Sequence, residues 1–177
     1  QMGQQAWLEL VKDAAGQGFA VEASAHLSVA TGLQIRMEQS HPLPALKARL
    51  SDKSVTLNDP ELDGLRGLLD QHPDGADALL KGKNLDSPAV MAIDNRKAAE
   101  TLQNFGRFGR LGLGFEGTAD LFKKGIFNPG QLMRFGPEHI RTVLLDKYPQ
   151  DVVNSITNHV TSAVADITGM LATLPNI

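Results

Sequence analysis

A chain of 177 residues with 42% hydrophobic and 21% charged side chains has ordinary globular usage, which excludes a wholly disordered or collagen-like protein and permits one buried core. Its formal net charge of −3 has the wrong sign for a protein that lives on nucleic-acid phosphates, and zero cysteines exclude a thiol nucleophile, a disulfide framework and a thiolate zinc site. No apolar run reaches the roughly 18 residues a membrane helix needs, so neither nucleic acid nor membrane is an expected partner.

In chain order, the first predicted helix runs from Ala6 to Ala15. Phe19, Val21, Ala23, Ala25, Leu27 and Val29 then alternate with mostly polar neighbours, and Leu33, Ile35 and Met37 resume the alternation after Thr31-Gly32. That period of two predicts a β-hairpin, although the alanines leave a helix open. A short helical turn is expected after Pro44. Asp59-Pro60, Ser87-Pro88, Asn128-Pro129 and Gly136-Pro137 each place a capping residue before a proline suited to the first helical turn. They predict helices from Pro60 to Gln71, Asp74 to Lys81, Pro88 to Asn104, Thr118 to Lys124 and Pro137 to Lys147, with a shorter turn after Pro129. Gly82, Gly106 and Gly125 are placed to end three of these. The last predicted helix, Gln150 to Leu174, carries Val153, Ile156, Val160, Ala163, Ile167, Met170 and Leu174 at steps of three and four, one apolar stripe. The expected fold is therefore mainly α: a compact, irregular multi-helix domain over residues 1–177 with an N-terminal β-hairpin. The Gln1-Met2 start and the Leu174-Pro175-Asn176-Ile177 end suggest a domain cut from a longer protein.

Familiar catalytic motifs are missing or out of context. Gly112-Leu113-Gly114-Phe115-Glu116-Gly117 matches GxGxxG, but no β-branched strand precedes it and no second strand ends in an acid about 20 residues on. His26, His41, His72, His139 and His159 never form HExxH or HxxxH, and no GxSxG elbow occurs. No metal or cofactor is expected. Glu138-His139 could be an acid/base pair, yet adjacent helical positions diverge by about 100°, and a glutamate at a helix start is accounted for by the dipole.

One segment stands out. Six of the seven phenylalanines (Phe105, Phe108, Phe115, Phe122, Phe127, Phe135) and 8 of the 17 glycines fall between residues 105 and 136. The same region is basic: residues 96–147 hold 9 Lys/Arg against 5 Asp/Glu, a local charge of +4. Such a segment either winds irregular backbone around a core or presents Leu111, Leu113 and Phe115 to a partner.

Gly109-Arg110-Leu111-Gly112-Leu113-Gly114, together with Val143-Leu144-Leu145-Asp146, resembles the C-terminal ubiquitin-ligase domain of the Xanthomonas outer protein L type of effector, secreted by plant-pathogenic bacteria through a type III system. The resemblance implies a ligase (E3) without RING zinc and without a catalytic cysteine. Its partners would be a host ubiquitin-conjugating enzyme (E2) charged with ubiquitin and a host protein substrate, met in the host cytoplasm. It also implies a functional segment, the XL-box, to which Arg110, Leu111 and Gly112 are assigned, with Leu145 as a second activity-determining position. A substrate-choosing leucine-rich repeat domain precedes the ligase domain in that family, and this chain shows no such repeat. Without a thiol, such a ligase acts by holding the E2 thioester in an attack-ready geometry. The alternative is a non-enzymatic helical protein-binding module of a secreted effector.

Overall fold

The computed structural model describes residues 4–18, 22–146 and 148–173. Within them run eleven α-helices: α1 (Gln4–Gly16), α2 (His26–Ser40), α3 (Pro42–Ser51), α4 (Asp59–Gln71), α5 (Pro73–Leu80), α6 (Pro88–Met91), α7 (Arg96–Arg110), α8 (Phe115–Lys123), α9 (Pro129–Met133), α10 (Pro137–Leu145) and α11 (Gln150–Thr173). The mainly α expectation holds, and the four proline-marked starts coincide with those of α4, α6, α9 and α10 to within a residue.

No strand occurs among the described residues, which overturns the N-terminal hairpin. Ala23–Ala25 form a single 3-10 turn and lead directly into α2, while Phe19 and Val21 lie outside the described residues. The physical reason lies in what α2 buries. Its core-facing residues are Ala30, Thr31, Gln34, Ile35 and Glu38, a helical stripe in which three of five members are polar. The larger apolar side chains Leu27, Leu33 and Met37 lie on the solvent side instead. Apolar residues alone thus traced a period of two, while the period of 3.6 was carried by polar ones.

Two other boundaries move. The predicted helix from Pro88 to Asn104 is broken into α6 and α7 because Asn95 caps a new start, its side chain accepting the Ala98 N–H at 3.1 Å. Gly82 and Gly125 do follow helices, with left-handed φ of +88° and +80°, but Gly106 sits inside α7. There it permits contact: a β-carbon on Gly106 would lie 2.5 Å from the Leu80 carbonyl oxygen and 2.6 Å from that of Leu79. Helices α5 and α7 can therefore touch backbone to backbone at this point.

Helix α7 is the axis of the fold, packed by α2, α4, α5, α8 and α9. A single hydrophobic cluster runs from Ile35 to Val160 and includes Leu46, Leu65, Leu79, Ile93, Leu102 and Leu132. Its aromatic centre is Phe105, Phe108, Phe115 and Phe122, all buried, with Phe105 and Phe122 edge to face at 5.3 Å between centroids. Such a pair contributes about 0.5–1.5 kcal/mol beyond its buried area. Of the α11 stripe, Val153, Ile156 and Val160 are buried. The side chains of Ala163, Ile167 and Met170, and Leu174 altogether, lie outside the described residues.

Candidate functional site

The residues singled out in the sequence occupy the turn between α7 and α8 and the end of α10. Arg110 closes α7 on the surface, and its guanidinium lies so close over Gly82 that a β-carbon there would overlap it. Glycine at 82 thus leaves room for the side chain that covers it. Among the described residues the Arg110 side chain makes no hydrogen bond or ion pair. Leu111 is half-buried and packs against the core, and Gly112 reverses the chain at φ +89° beside Ile156 and His159 of α11. Leu113 and Phe115, which the sequence left open as partner-facing, are core residues at 1% and 4% exposure.

Leu145 stands apart from this turn. It is 44% exposed at the end of α10, next to the buried Leu144. The C-terminal turn of α8 reaches that region through Lys124, whose Nζ donates to the Val143 carbonyl at 2.9 Å. Arg110, Leu111 and Gly112 thus face α5 and α11, and no hydrogen bond or ion pair among the described residues links them to Leu145. Phe127 and Phe135 are partly exposed, the latter stacked on His139 at 4.4 Å between rings. Glu138 pairs with Arg141 and not with His139, so this helix start does not assemble an acid/base pair.

Beneath the Arg110 turn lies a buried polar centre that sequence reading missed. Glu38, 4% exposed, is reached by three donors: Arg49 Nε at 3.1 Å and Gln34 Nε2 at 3.3 Å to Oε1, and the Phe115 backbone N–H at 2.8 Å to Oε2. The carboxylate therefore sits on the N-terminus of α8, where orphan N–H groups and the helix dipole favour a negative charge. This is the place a phosphate would take in a nucleotide-binding glycine loop, and here the protein's own carboxylate fills it. Burial still pushes the Glu38 carboxyl above its ordinary value of 4.5, against the lowering effects of the Phe115 N–H, Arg49 and Gln34. Arg49 also approaches Glu116 at 3.6 Å and Asp52 at 3.8 Å, so its charge is shared among three acids.

Tyr148 completes the centre from the chain between α10 and α11. Its hydroxyl accepts the Gly114 N–H at 3.2 Å, and burial pushes its pKa well above 10. The signal that could have found this centre is compositional: Tyr148 is the single tyrosine, and Glu38 and Arg49 are acid and base in otherwise buried helix stripes.

Between the α7–α8 turn and α2 and α5 opens a cleft of ≈ 400 Å³. Of the residues that line it, Glu38, Leu80, Phe105, Leu113 and Phe115 are buried, and Gln39, Lys81 and Arg110 are exposed. Gln39 ties α2 to the last turn of α7, donating from Nε2 to the Gly109 carbonyl at 2.7 Å. Among the described residues no three His, Asp or Glu side chains gather as a metal cluster, and no helix is long and apolar enough to cross a membrane. No family model, curated protein or solved structure matches the chain.

Proposed function

We propose that this domain is an E3 ubiquitin ligase of the non-covalent kind, belonging to an effector that a bacterium secretes through a type III system and that works in the host cytoplasm. The observation that carries the reading is the exposed, unpaired Arg110 at the turn whose sequence bears the resemblance. An exposed arginine held against a glycine backbone, beside an apolar cleft, is the kind of anchor that protein interfaces favour. Arg110, with Leu111 and Gly112 behind it, contacts the charged E2 in this reading, and Leu145 offers a second, separate contact on α10.

The chemistry then belongs to the conjugating enzyme. A neutral substrate lysine amine attacks the thioester carbonyl, a C–N bond forms, the C–S bond breaks with the E2 cysteine leaving as thiolate, and the nitrogen releases one proton to water. The domain's part is to hold the thioester and the acceptor in a near-attack geometry, which lowers the barrier through orientation and makes no covalent bond to ubiquitin.

Incubation with E1, a panel of E2 enzymes, ubiquitin and ATP tests the reading. Ubiquitin chains that require this protein and that fall when Arg110→Glu is introduced support it. Chain formation absent across the panel favours the helical binding module, for which the same exposed residues would serve as contacts.

A further inference from the structure

Helix α7 ends in a Schellman motif. The Gly112 N–H donates to the Gly109 carbonyl at 2.9 Å and the Leu113 N–H to the Phe108 carbonyl at 3.2 Å, with Gly112 in the left-handed region. Phe108 and Leu113, the pair of positions that such a motif brings together, are both buried. The motif fixes the last turn, Gly109 to Leu111, from its C-terminal side.

Gly109 is the loose joint in that turn. It has no β-carbon to restrict its backbone, and nothing lies within 4 Å of where one would be. Its carbonyl belongs to the planar peptide unit that continues to the Arg110 nitrogen, so the tilt of that unit sets the direction in which the Arg110 side chain leaves the helix. Gln39 of α2 donates to this carbonyl from Nε2 at 2.7 Å, the second donor on the same oxygen. The preceding residue, Glu38, accepts the Phe115 N–H at 2.8 Å. Two consecutive residues of α2 therefore hold the α7–α8 turn at both ends, and Arg110 lies between the two bonds with its guanidinium over Gly82. The two ties differ in what else they hold. Glu38 is buried and also engages Arg49, whereas Gln39 is exposed and its side chain makes no other hydrogen bond among the described residues.

We infer that Gln39 is a positioning residue for Arg110: its bond orients the peptide between Gly109 and Arg110 so that the guanidinium stays over Gly82, in the direction that meets the conjugating enzyme. The role rests on the ligase reading for what Arg110 touches.

Two substitutions and two readouts test it. Gln39→Met keeps the length and helical propensity of the side chain and deletes its donor, whereas Gln39→Lys restores a donor at a helix end that favours a cation. Thermal melts place both within a few degrees of wild type. Amide hydrogen exchange reads the clamp: protection of Leu111, Gly112 and Leu113 falls about threefold to tenfold in Gln39→Met, the factor one hydrogen bond contributes, and returns in Gln39→Lys, while the α4 amides keep theirs. Discharge of ubiquitin from charged E2 to free lysine reads the role. Gln39→Met raises the E2 concentration that half-saturates discharge by about the same factor and leaves the saturated rate unchanged; in an Arg110→Ala background it has no further effect. Unchanged protection of the turn overturns the inference. So does a half-saturating concentration that Gln39→Met leaves unchanged, a fall in the saturated rate alone, or an equal effect in the Arg110→Ala background, each in a wild type that transfers ubiquitin. A wild-type domain that discharges no E2 in the panel overturns the ligase reading instead, and the role of Gln39 falls with it.

Discussion

Glu38 and Phe115 lie 77 residues apart in the chain, and the Glu38 carboxylate accepts the Phe115 backbone N–H at 2.8 Å. This one bond ties α2 to the first turn of α8 and, through Arg49, to α3. The α7–α8 turn that carries Arg110, Leu111 and Gly112 is therefore braced from beneath by a charge that water cannot reach. Removing that charge without replacing its acceptor strands Arg49 and the α8 N-terminus together.

Glu38→Ala is expected to destabilise the domain by about 3–5 kcal/mol, the cost of leaving one member of a buried pair alone. Asp52 and Glu116, close to the same guanidinium, bring the loss toward the lower end. Glu38→Gln keeps an acceptor for Phe115 and costs less. Chemical denaturation of the three proteins at one pH ranks them, and equal stabilities would remove the bracing role.

The pH dependence has a definite sign. The Glu38 pKa is raised above 4.5 in the folded state, so folding takes up a proton, and the extra stability that protonation adds to the brace is fully present below the unfolded value. It is lost as pH rises through the folded value. Wild type should therefore gain stability relative to Glu38→Gln as pH is lowered from neutral toward 4.5. A difference that is constant over this window, or that shrinks on acidification, contradicts a raised pKa.

Two glycines in neighbouring helices should respond oppositely to alanine. A β-carbon on Gly117 in α8 would overlap the Tyr148 hydroxyl and lie 2.5 Å from Cζ and 2.6 Å from Cε2, so the ring must move from a buried site. Overpacking of this kind costs about 1–3 kcal/mol. Gly109→Ala meets nothing and should stabilise α7 by up to about 1 kcal/mol. Melting temperatures moving in opposite directions are the expected result. Adding Tyr148→Phe to Gly117→Ala should recover little, because two ring carbons also stand in the way.

What could be read from the sequence was local. Prolines at helix starts and the spacing of Val153, Ile156 and Val160 marked real elements, since these signals depend on neighbours within one or two turns. The brace was hidden because Glu38, Arg49 and Tyr148 come from three distant places, and each is a residue type normally read as exposed or unremarkable. The same polar side chains disguised α2. The phenylalanine cluster divided as the two readings allowed: Phe105, Phe108, Phe115 and Phe122 build the core, while Phe127 and Phe135 reach the surface. Nothing local distinguishes the two sets.

The proposed ubiquitin transfer should persist in a zinc chelator once magnesium for ATP is restored. The expectation rests on zero cysteines and on histidines that never recur at ligand spacing. The same reconstituted assay run with and without chelator checks it, and a loss that zinc restores would point to a metal site.

The last expectation separates contact from fold at the positions the resemblance singled out. Leu145 is 44% exposed, so Leu145→Ala should change stability by less than about 0.5 kcal/mol, whereas Leu144→Ala at 2% exposure should cost about 2–5 kcal/mol. Any loss of transfer in Leu145→Ala is then a loss of contact. The α7–α8 turn is less forgiving. Gly112 holds φ +89°, which disfavours most residues with a β-carbon by roughly 1–2 kcal/mol, asparagine least, and Leu111 packs on the core. A combined Leu111→Ala, Gly112→Glu change therefore mixes strain and lost packing with any loss of contact. Gly112→Asn, which tolerates the left-handed region, and Arg110→Ala, which removes a surface charge with no partner among the described residues, are the cleaner pair. Both should melt within a few degrees of wild type. Reduced ubiquitin transfer at an unchanged melting point assigns Arg110 and Leu145 to the E2-facing surface. Full activity in both Arg110→Ala and Leu145→Ala would detach the proposed function from these residues, and with it the ground for the ligase reading.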